Sequence, residues 1–397
     1  MRTEQGSDAS TRIAFVINSL AGGGAERVFC RIIEGLEAHL RDCESEIMLL
    51  DDEPRAYTPP AFARCRTLGA DGSFAASVAK LSGAMRRFRP HVAVSFLSRA
   101  NCANVIAGRW CGYRTVISER VATLEHFGQG AAAQVKRAVT RELYRRADAI
   151  VAVSEGVRRG LVEWCQVPAP RIEVIPNPVD VARIREWAAQ SLDIVLPAKF
   201  IVSVNRLTAK KNVPLQLEAL QRSGLPHHWV ILGDGPDRAA LEALAVTLGL
   251  RDRVHFLGFV SNPFAIMAQA DMFVSTSNAE GFPNALAEAM ALGVPCVATN
   301  CRSGPAEILA DEPKLETTAM LPTRFGVLIP VGDADACAAA LCFLARPEQR
   351  ADYSRRASER AVLYSPESII ARYWRVIARV ADEARPGPAV RSARVRA

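Results

Sequence analysis

Strand-sized apolar runs alternate with helix-sized stretches twice in this chain, and a proline-marked passage separates the two series. Parallel strands need a crossover long enough to hold a helix, so this rhythm predicts doubly wound parallel sheets. In the first series the predicted strands are 13–18, 46–50, 92–96, 115–118, 149–153 and 172–175, with helices over 25–40, 100–111 and 155–164. Ile175-Pro-Asn-Pro-Val-Asp180, a polar helix and Leu196-Pro197 then break the pattern, as a connection between domains does. It restarts with strands 200–205, 229–232, 254–257, 272–275, 296–299 and 326–330, and 333–383 reads as consecutive helices. The expected fold is therefore α/β, with two Rossmann-like doubly wound domains facing across a cleft. Their expected bounds are 12–180 and 198–362, with a linker at 181–197 and a last helix at 363–383 crossing back to the first domain. Residues 1–11 and 384–397 are expected to be disordered.

At 397 residues and 49% hydrophobic content the chain fills two cores. No apolar run reaches the roughly 18 residues of a spanning helix, and 1–11 lacks a hydrophobic leader region, so a cytoplasmic protein is expected. The ten cysteines include no Cys-x-x-Cys, which points to reduced thiols and no metal site. The net charge of +7 lies in the first half: residues 1–185 hold 26 Lys and Arg against 20 Asp and Glu, leaving 23 against 22 beyond. Lys136, Arg137, Arg141 and Arg145 gather on one predicted helix. Such a face is either simply solvated or faces an anionic membrane surface or a diphosphate-bearing acceptor. Nucleic acid is not expected, because no binding motif or interleaved aromatics accompany the charge.

Five motifs fall at predicted strand ends, where doubly wound sheets bind ligands. Asn18-Ser-Leu-Ala-Gly-Gly-Gly-Ala-Glu-Arg27 is a glycine loop opening a helix, whose backbone can approach an anion or a sugar closely. With Asp51 or Asp52 downstream it imitates a dehydrogenase fingerprint, but Arg27 stands where the third glycine belongs. Ser203-Val-Asn-Arg206-Leu-Thr-Ala-Lys-Lys211-Asn212 puts two cations, Arg206 and Lys211, in one loop, a pair suited to a diphosphate leaving group. Leu232-Gly-Asp-Gly-Pro236 is a second glycine turn, and Phe256-Leu-Gly-Phe259 offers backbone groups to a nucleobase. In Asn278-Ala-Glu-Gly-Phe-Pro-Asn-Ala-Leu-Ala-Glu288, Glu280 sits in a loop and Glu288 on the helix that opens there. A helix start holds phosphate and carboxylates hold sugar hydroxyls, so this stretch suits a sugar nucleotide.

In this register the chain resembles the GT-B glycosyltransferases of family 4, retaining transferases marked by a Glu-x7-Glu motif. The resemblance runs from Gly22-Gly-Gly-Ala-Glu-Arg27 through Arg206, Lys211 and Gly233-Asp-Gly-Pro236 to Glu280 and Glu288. It implies that Glu288 binds the nucleotide ribose and Glu280 the donor sugar. Arg206 and Lys211 would hold the diphosphate with the N–H groups of Ala285 and Leu286, beside Asn284. The loop at Gly23 and Gly24 would close over the reacting sugar. The implied reaction is a front-face displacement without metal or cofactor, in which the departing phosphate takes the acceptor proton. Where many relatives carry a histidine after the fourth strand, this chain has Ile117-Ser-Glu-Arg120, with His126 further on. That pattern resembles the subgroup of lipid-linked oligosaccharide and capsular or exopolysaccharide assembly. It makes Glu119 and Arg120 candidate donor or acceptor contacts, with His126 either a third or a structural residue. The partners implied are a nucleotide sugar, UDP-linked, and a polyprenyl-diphosphate-linked glycan. The competing readings are a non-catalytic sugar-nucleotide-binding protein, a sugar-nucleotide epimerase and a phosphorylase.

Overall fold

The computed structural model describes residues 10–121, 130–192 and 194–384, with only the backbone of Ala132. The chain forms two compact units. The first combines the chain up to Pro178, apart from Ser154–Gly156, with the C-terminal helix Pro366–Ala384. Its seven strands are β1 (Thr11–Ile17), β2 (Cys43–Leu49), β3 (Arg64–Thr67), β4 (Val92–Phe96), β5 (Arg114–Glu119), β6 (Ala149–Ala152) and β7 (Ile172–Val174), all parallel, in the order β3-β2-β1-β4-β5-β6-β7.

Successive side chains of a strand point to opposite faces, and both faces of this sheet are covered. Ile13, Phe15 and Ile17 of β1 pack with Val28, Phe29 and Ile33 of the helix Gly24–Gly35 and with Tyr373, Val376 and Val380 of the C-terminal helix. Ala14 and Val16 pack on the other face against the helices Phe74–Phe88 and Ser98–Cys111. The helix expected over 25–40 breaks at Gly35, where a Cβ would stand 2.6 Å from Cγ1 of Ile370. Glycine there admits the C-terminal helix at close range.

The second unit comprises Val179–Ser365 with Ser154–Gly156. Its strands are β8 (Phe200–Val204), β9 (His228–Leu232), β10 (Val254–Gly258), β11 (Met272–Ser275), β12 (Cys296–Thr299), β13 (Leu321–Pro322) and β14 (Val327–Ile329), in the order β10-β9-β8-β11-β12-β14-β13. Only β13 runs antiparallel to its neighbour. The helix Val213–Ser223 supplies Leu217 and Leu220 to a core with Ile201, Trp229 and Val274.

Three expectations change. Thr11, placed in a disordered end, starts β1 and pairs with Cys43. The 181–197 linker belongs to the second unit: the helix expected in it, Val181–Ala188, has Ile184 fully buried and Arg185 Nε donating to the Ala291 carbonyl at 3.2 Å. β3 and β13 were not expected, because Arg-Cys-Arg-Thr and a two-residue bridge at sheet edges carry no apolar run. The described cysteines are all free thiols, and burial pushes Cys30, Cys102, Cys165 and Cys337 up to about 12.

Candidate active site

β8 and β11 are neighbours although β9 and β10 intervene in sequence, so the connections leaving their C-terminal ends run apart. Such a switch point is where an open α/β sheet binds ligands. The connection after β8 carries Arg206 and a short turn, Ala209–Lys211; the one after β11 carries Asn278 and Glu280. Asn212 adopts a left-handed conformation, φ 47°, which turns the chain into the helix Val213–Ser223.

The two loops are laced together. The Asn278 N–H donates to the Lys210 carbonyl at 2.9 Å, its Nδ2 to the Ala209 carbonyl at 3.3 Å, and its Oδ1 accepts from Asn212 Nδ2 at 3.3 Å. Lys211 Nζ lies 2.5 Å from Glu280 Oε1, with the two side chains 25% and 13% exposed. Screening is limited at that depth, so the pair holds each member in place more firmly than a surface pair does. Ser303 Oγ donates to the Glu280 carbonyl and fixes the loop from the other side. Arg206 is exposed and makes no ion pair among the described residues, which leaves its guanidinium available to an anion.

Glycine shapes the neighbouring loop. Gly233 has φ +119°, and a Cβ there would lie 1.9 Å from the Asn205 carbonyl oxygen; one at Gly235 would lie 2.2 Å from the Leu207 carbonyl oxygen. The loop after β9 thus rests backbone to backbone on the loop after β8, with the Leu207 N–H donating to the Asp234 carbonyl at 2.9 Å. The helix Asn284–Ala291 opens after Pro283 and carries Glu288, which is buried. The Leu286 N–H donates to the Pro283 carbonyl at 3.1 Å, so it is already engaged within the helix start.

In the first unit the Gly22-Gly23-Gly24 loop follows β1, Gly22 having φ +119° and Gly24 starting a helix. Glu119 ends β5 and Arg120 follows it, and both are buried. Glu119 accepts from the Tyr144 hydroxyl at 2.5 Å and from the N–H groups of Arg120 and Val121 at 3.2 and 3.3 Å. Burial pushes its carboxyl up to about 7 against those bonds. Arg120 donates to the Tyr373 hydroxyl at 2.8 Å and lies over the Phe96 ring, 5.2 Å from its centroid. In this arrangement Glu119 is a core residue with its oxygens committed to protein groups, which is a departure from the substrate contact expected of it. His126 lies outside the described residues.

Lys136, Arg137 and Arg141 share the helix Ala131–Tyr144, and Arg145 caps its C-terminal end. Its inward face is Ala133, Thr140, Leu143 and Tyr144, whereas Val135 and Val139 are 63% and 44% exposed. The outer surface is therefore both basic and apolar.

Sequence reading missed the buried side chains behind the loops, Ser203, Gln216, Thr276 and Ser277. The Asn205 Nδ2 and Ser277 Oγ atoms, at the ends of β8 and β11, are buried with no hydrogen-bond partner. Small polar residues directly after apolar strands were the available signal. Orphan groups of this kind mark places where a ligand or water completes the set.

Residues 22–183 match the family model Glycosyltransferase Family 4, and 185–360 match Glycosyl transferases group 1. The N-acetylgalactosamine-N,N'-diacetylbacillosaminyl-diphospho-undecaprenol 4-alpha-N-acetylgalactosaminyltransferase of Campylobacter jejuni is 28% identical over 387 residues, 90% of this chain and 97% of that protein. Among solved structures, Anabaena HepE in complex with UDP superposes with a TM-score of 0.72 at 21% identity, covering 93% of this chain and 100% of that one. Sucrose-phosphate synthase of Thermosynechococcus elongatus superposes at 0.76 with 18% identity, covering 93% and 99%. With two adjacent family segments spanning most of its length on two Rossmann-like units, the chain belongs to the GT-B glycosyltransferases of family 4.

Proposed function

We propose that this glycosyltransferase moves a hexose or N-acetylhexosamine from a UDP-linked sugar to a hydroxyl of a polyprenyl-diphosphate-linked glycan, with retention of anomeric configuration and without a metal. The observation that carries the reading is the Lys211–Glu280 pair at the β8/β11 switch point, with Glu288 on the helix that follows. The name of the Campylobacter relative supports a diphospho-undecaprenol acceptor, and the UDP held by the Anabaena protein supports the nucleotide.

In this mechanism Glu288 takes the ribose hydroxyls and Glu280 the donor sugar hydroxyls. The bond between the anomeric carbon and the diphosphate oxygen breaks, and its electron pair stays on the diphosphate. Arg206 and Lys211 neutralise the charge that develops there, which is where preorganised cations lower a barrier most. The acceptor oxygen bonds to the anomeric carbon from the same face, and its proton passes to the departing phosphate. Asn284 and the Ala285 N–H border the phosphate, and Gly23 and Gly24 supply backbone to the donor; Arg120 remains an acceptor-side candidate. No cofactor enters this scheme.

The protein would work peripherally at the cytoplasmic face of a membrane. No helix among the described residues is long and apolar enough to cross one. Lys136, Arg137, Arg141 and Arg145, with the exposed Val135 and Val139, suit an anionic lipid surface. Sedimentation with anionic vesicles tests this: an Arg137→Glu, Arg141→Glu protein should stay in solution, and undiminished co-sedimentation would count against it. For the reaction, nucleoside diphosphate release from a panel of nucleotide sugars in the presence of a lipid-linked glycan is the test. Binding of nucleotide sugars with no release under any condition would favour a non-catalytic binding protein.

A further inference from the structure

We propose that Thr276 and Gln216 are positioning residues of the reaction: they hold the backbone at Lys211 so that its side chain meets Glu280. The inference rests on the site reading above for its catalytic consequence, but not for its geometry.

Four fully buried side chains form one hydrogen-bonded chain across the unit. Trp229 Nε1 on β9 donates to Ser203 Oγ on β8 at 3.2 Å, and Ser203 Oγ donates to Gln216 Oε1 at 2.9 Å. Gln216 Nε2 donates to Thr276 Oγ1 at 3.0 Å, and Thr276 Oγ1 donates to the carbonyls of Lys211 and Asn212, each at 3.0 Å. An indole N–H only donates and a carbonyl only accepts, so both ends of the chain are fixed. Ser203 must therefore pass its proton toward Gln216, whose amide can only lie with its oxygen toward Ser203 and its nitrogen toward Thr276. The single hydroxyl proton of Thr276 is left for the two carbonyls.

That leaves one self-consistent arrangement. It ties β8, β9, the helix Val213–Ser223 and the end of β11 to the two residues that turn the chain at the site. Thr276 lies four residues before Glu280, and the Asn278 N–H bond to the Lys210 carbonyl lies between. The relay therefore sets the spacing of the two loops from beneath, while the Lys211–Glu280 pair closes it above.

Three single variants and the Thr276→Val, Gln216→Met double variant test this. Thr276→Val keeps the shape and removes the proton, Gln216→Met removes the donor to Thr276, and Thr276→Ser keeps the hydroxyl. The rate at which an amine-reactive acylating reagent modifies Lys211, read by peptide mass spectrometry against Lys210, reports the lysine without any substrate. A misplacement of about 1 Å at a reacting group costs on the order of a hundredfold in rate. Thr276→Val and Gln216→Met should therefore lower turnover by about 10- to 100-fold and raise Lys211 reactivity about threefold or more. Thr276→Ser should match the wild type, and the double variant should be no worse than the poorer single one. Unchanged Lys211 reactivity in Thr276→Val, unchanged turnover despite altered reactivity, or failure of serine to rescue would each overturn the proposal. A wild type that turns over no nucleotide sugar would instead overturn the functional reading, and the reactivity measurement would still decide the relay.

Discussion

Lys211 Nζ and Glu280 Oε1 are 2.5 Å apart, joining the loop after β8 to the loop after β11. In the proposed reaction, donor binding would exchange this pair for a diphosphate on the lysine and sugar hydroxyls on the glutamate. Glu280→Gln keeps the shape but lowers the attraction to Lys211. Transfer should fall by about a hundredfold or more, since the lost contacts are made where charge develops, while nucleoside diphosphate affinity changes by less than about threefold. Steady-state rates and calorimetric titration on the same preparation check both halves.

In the proposed reaction Glu288 serves the other end of the donor. It is buried on the second turn of the helix Asn284–Ala291. Hydrogen bonds to a charged group contribute about 1.5–3 kcal/mol, so Glu288→Ala should weaken nucleoside diphosphate binding by about 10- to 100-fold. Equal affinities in calorimetry would remove Glu288 from the nucleotide site.

Gly233 has no room for a side chain: φ is +119° and a Cβ would lie 1.9 Å from the Asn205 carbonyl oxygen. Gly233→Ala must displace the loop that carries Arg206, with a stability loss of about 3 kcal/mol or more. Gly224, at φ +62° with nothing within 4 Å of its Cβ position, is the control. Its alanine variant should cost only about 1 kcal/mol. Thermal unfolding of the two variants side by side checks the difference.

Glu119 carries a pH dependence. Burial raises its carboxyl from 4.5 to about 7, so the folded protein keeps a proton there that the unfolded chain has released. Its stabilising contribution is complete below the unfolded value and is lost as pH climbs through about 7. Glu119→Gln has nothing to ionise. Relative to the wild type, its stability should improve on going from about pH 5 to about pH 8 by on the order of 2–3 kcal/mol. Denaturant melts that run parallel for the two proteins would contradict this.

The parallel strands were legible because β4, Val-Ala-Val-Ser-Phe, is buried on both faces and so is apolar along its length. β3 was not, because an edge strand of alternating polar residues looks like a loop. Glu280 and Lys211 were legible as types at strand ends. The relay from Trp229 through Thr276 was not, since it joins residues up to 73 positions apart whose meeting depends on which strands become neighbours. Glu119 shows the reverse error: a carboxylate at a strand end reads as a ligand contact, and only the fold shows that its side chain is held by Tyr144 in the core.

The most direct measurement is turnover of a nucleotide-sugar panel by the wild type and by Glu280→Ala, following nucleoside diphosphate release. The account requires release from at least one UDP sugar, accelerated by a lipid-linked glycan acceptor and reduced about a hundredfold or more in the variant. No release and no binding of any nucleoside diphosphate, or full activity in Glu280→Ala, would contradict it.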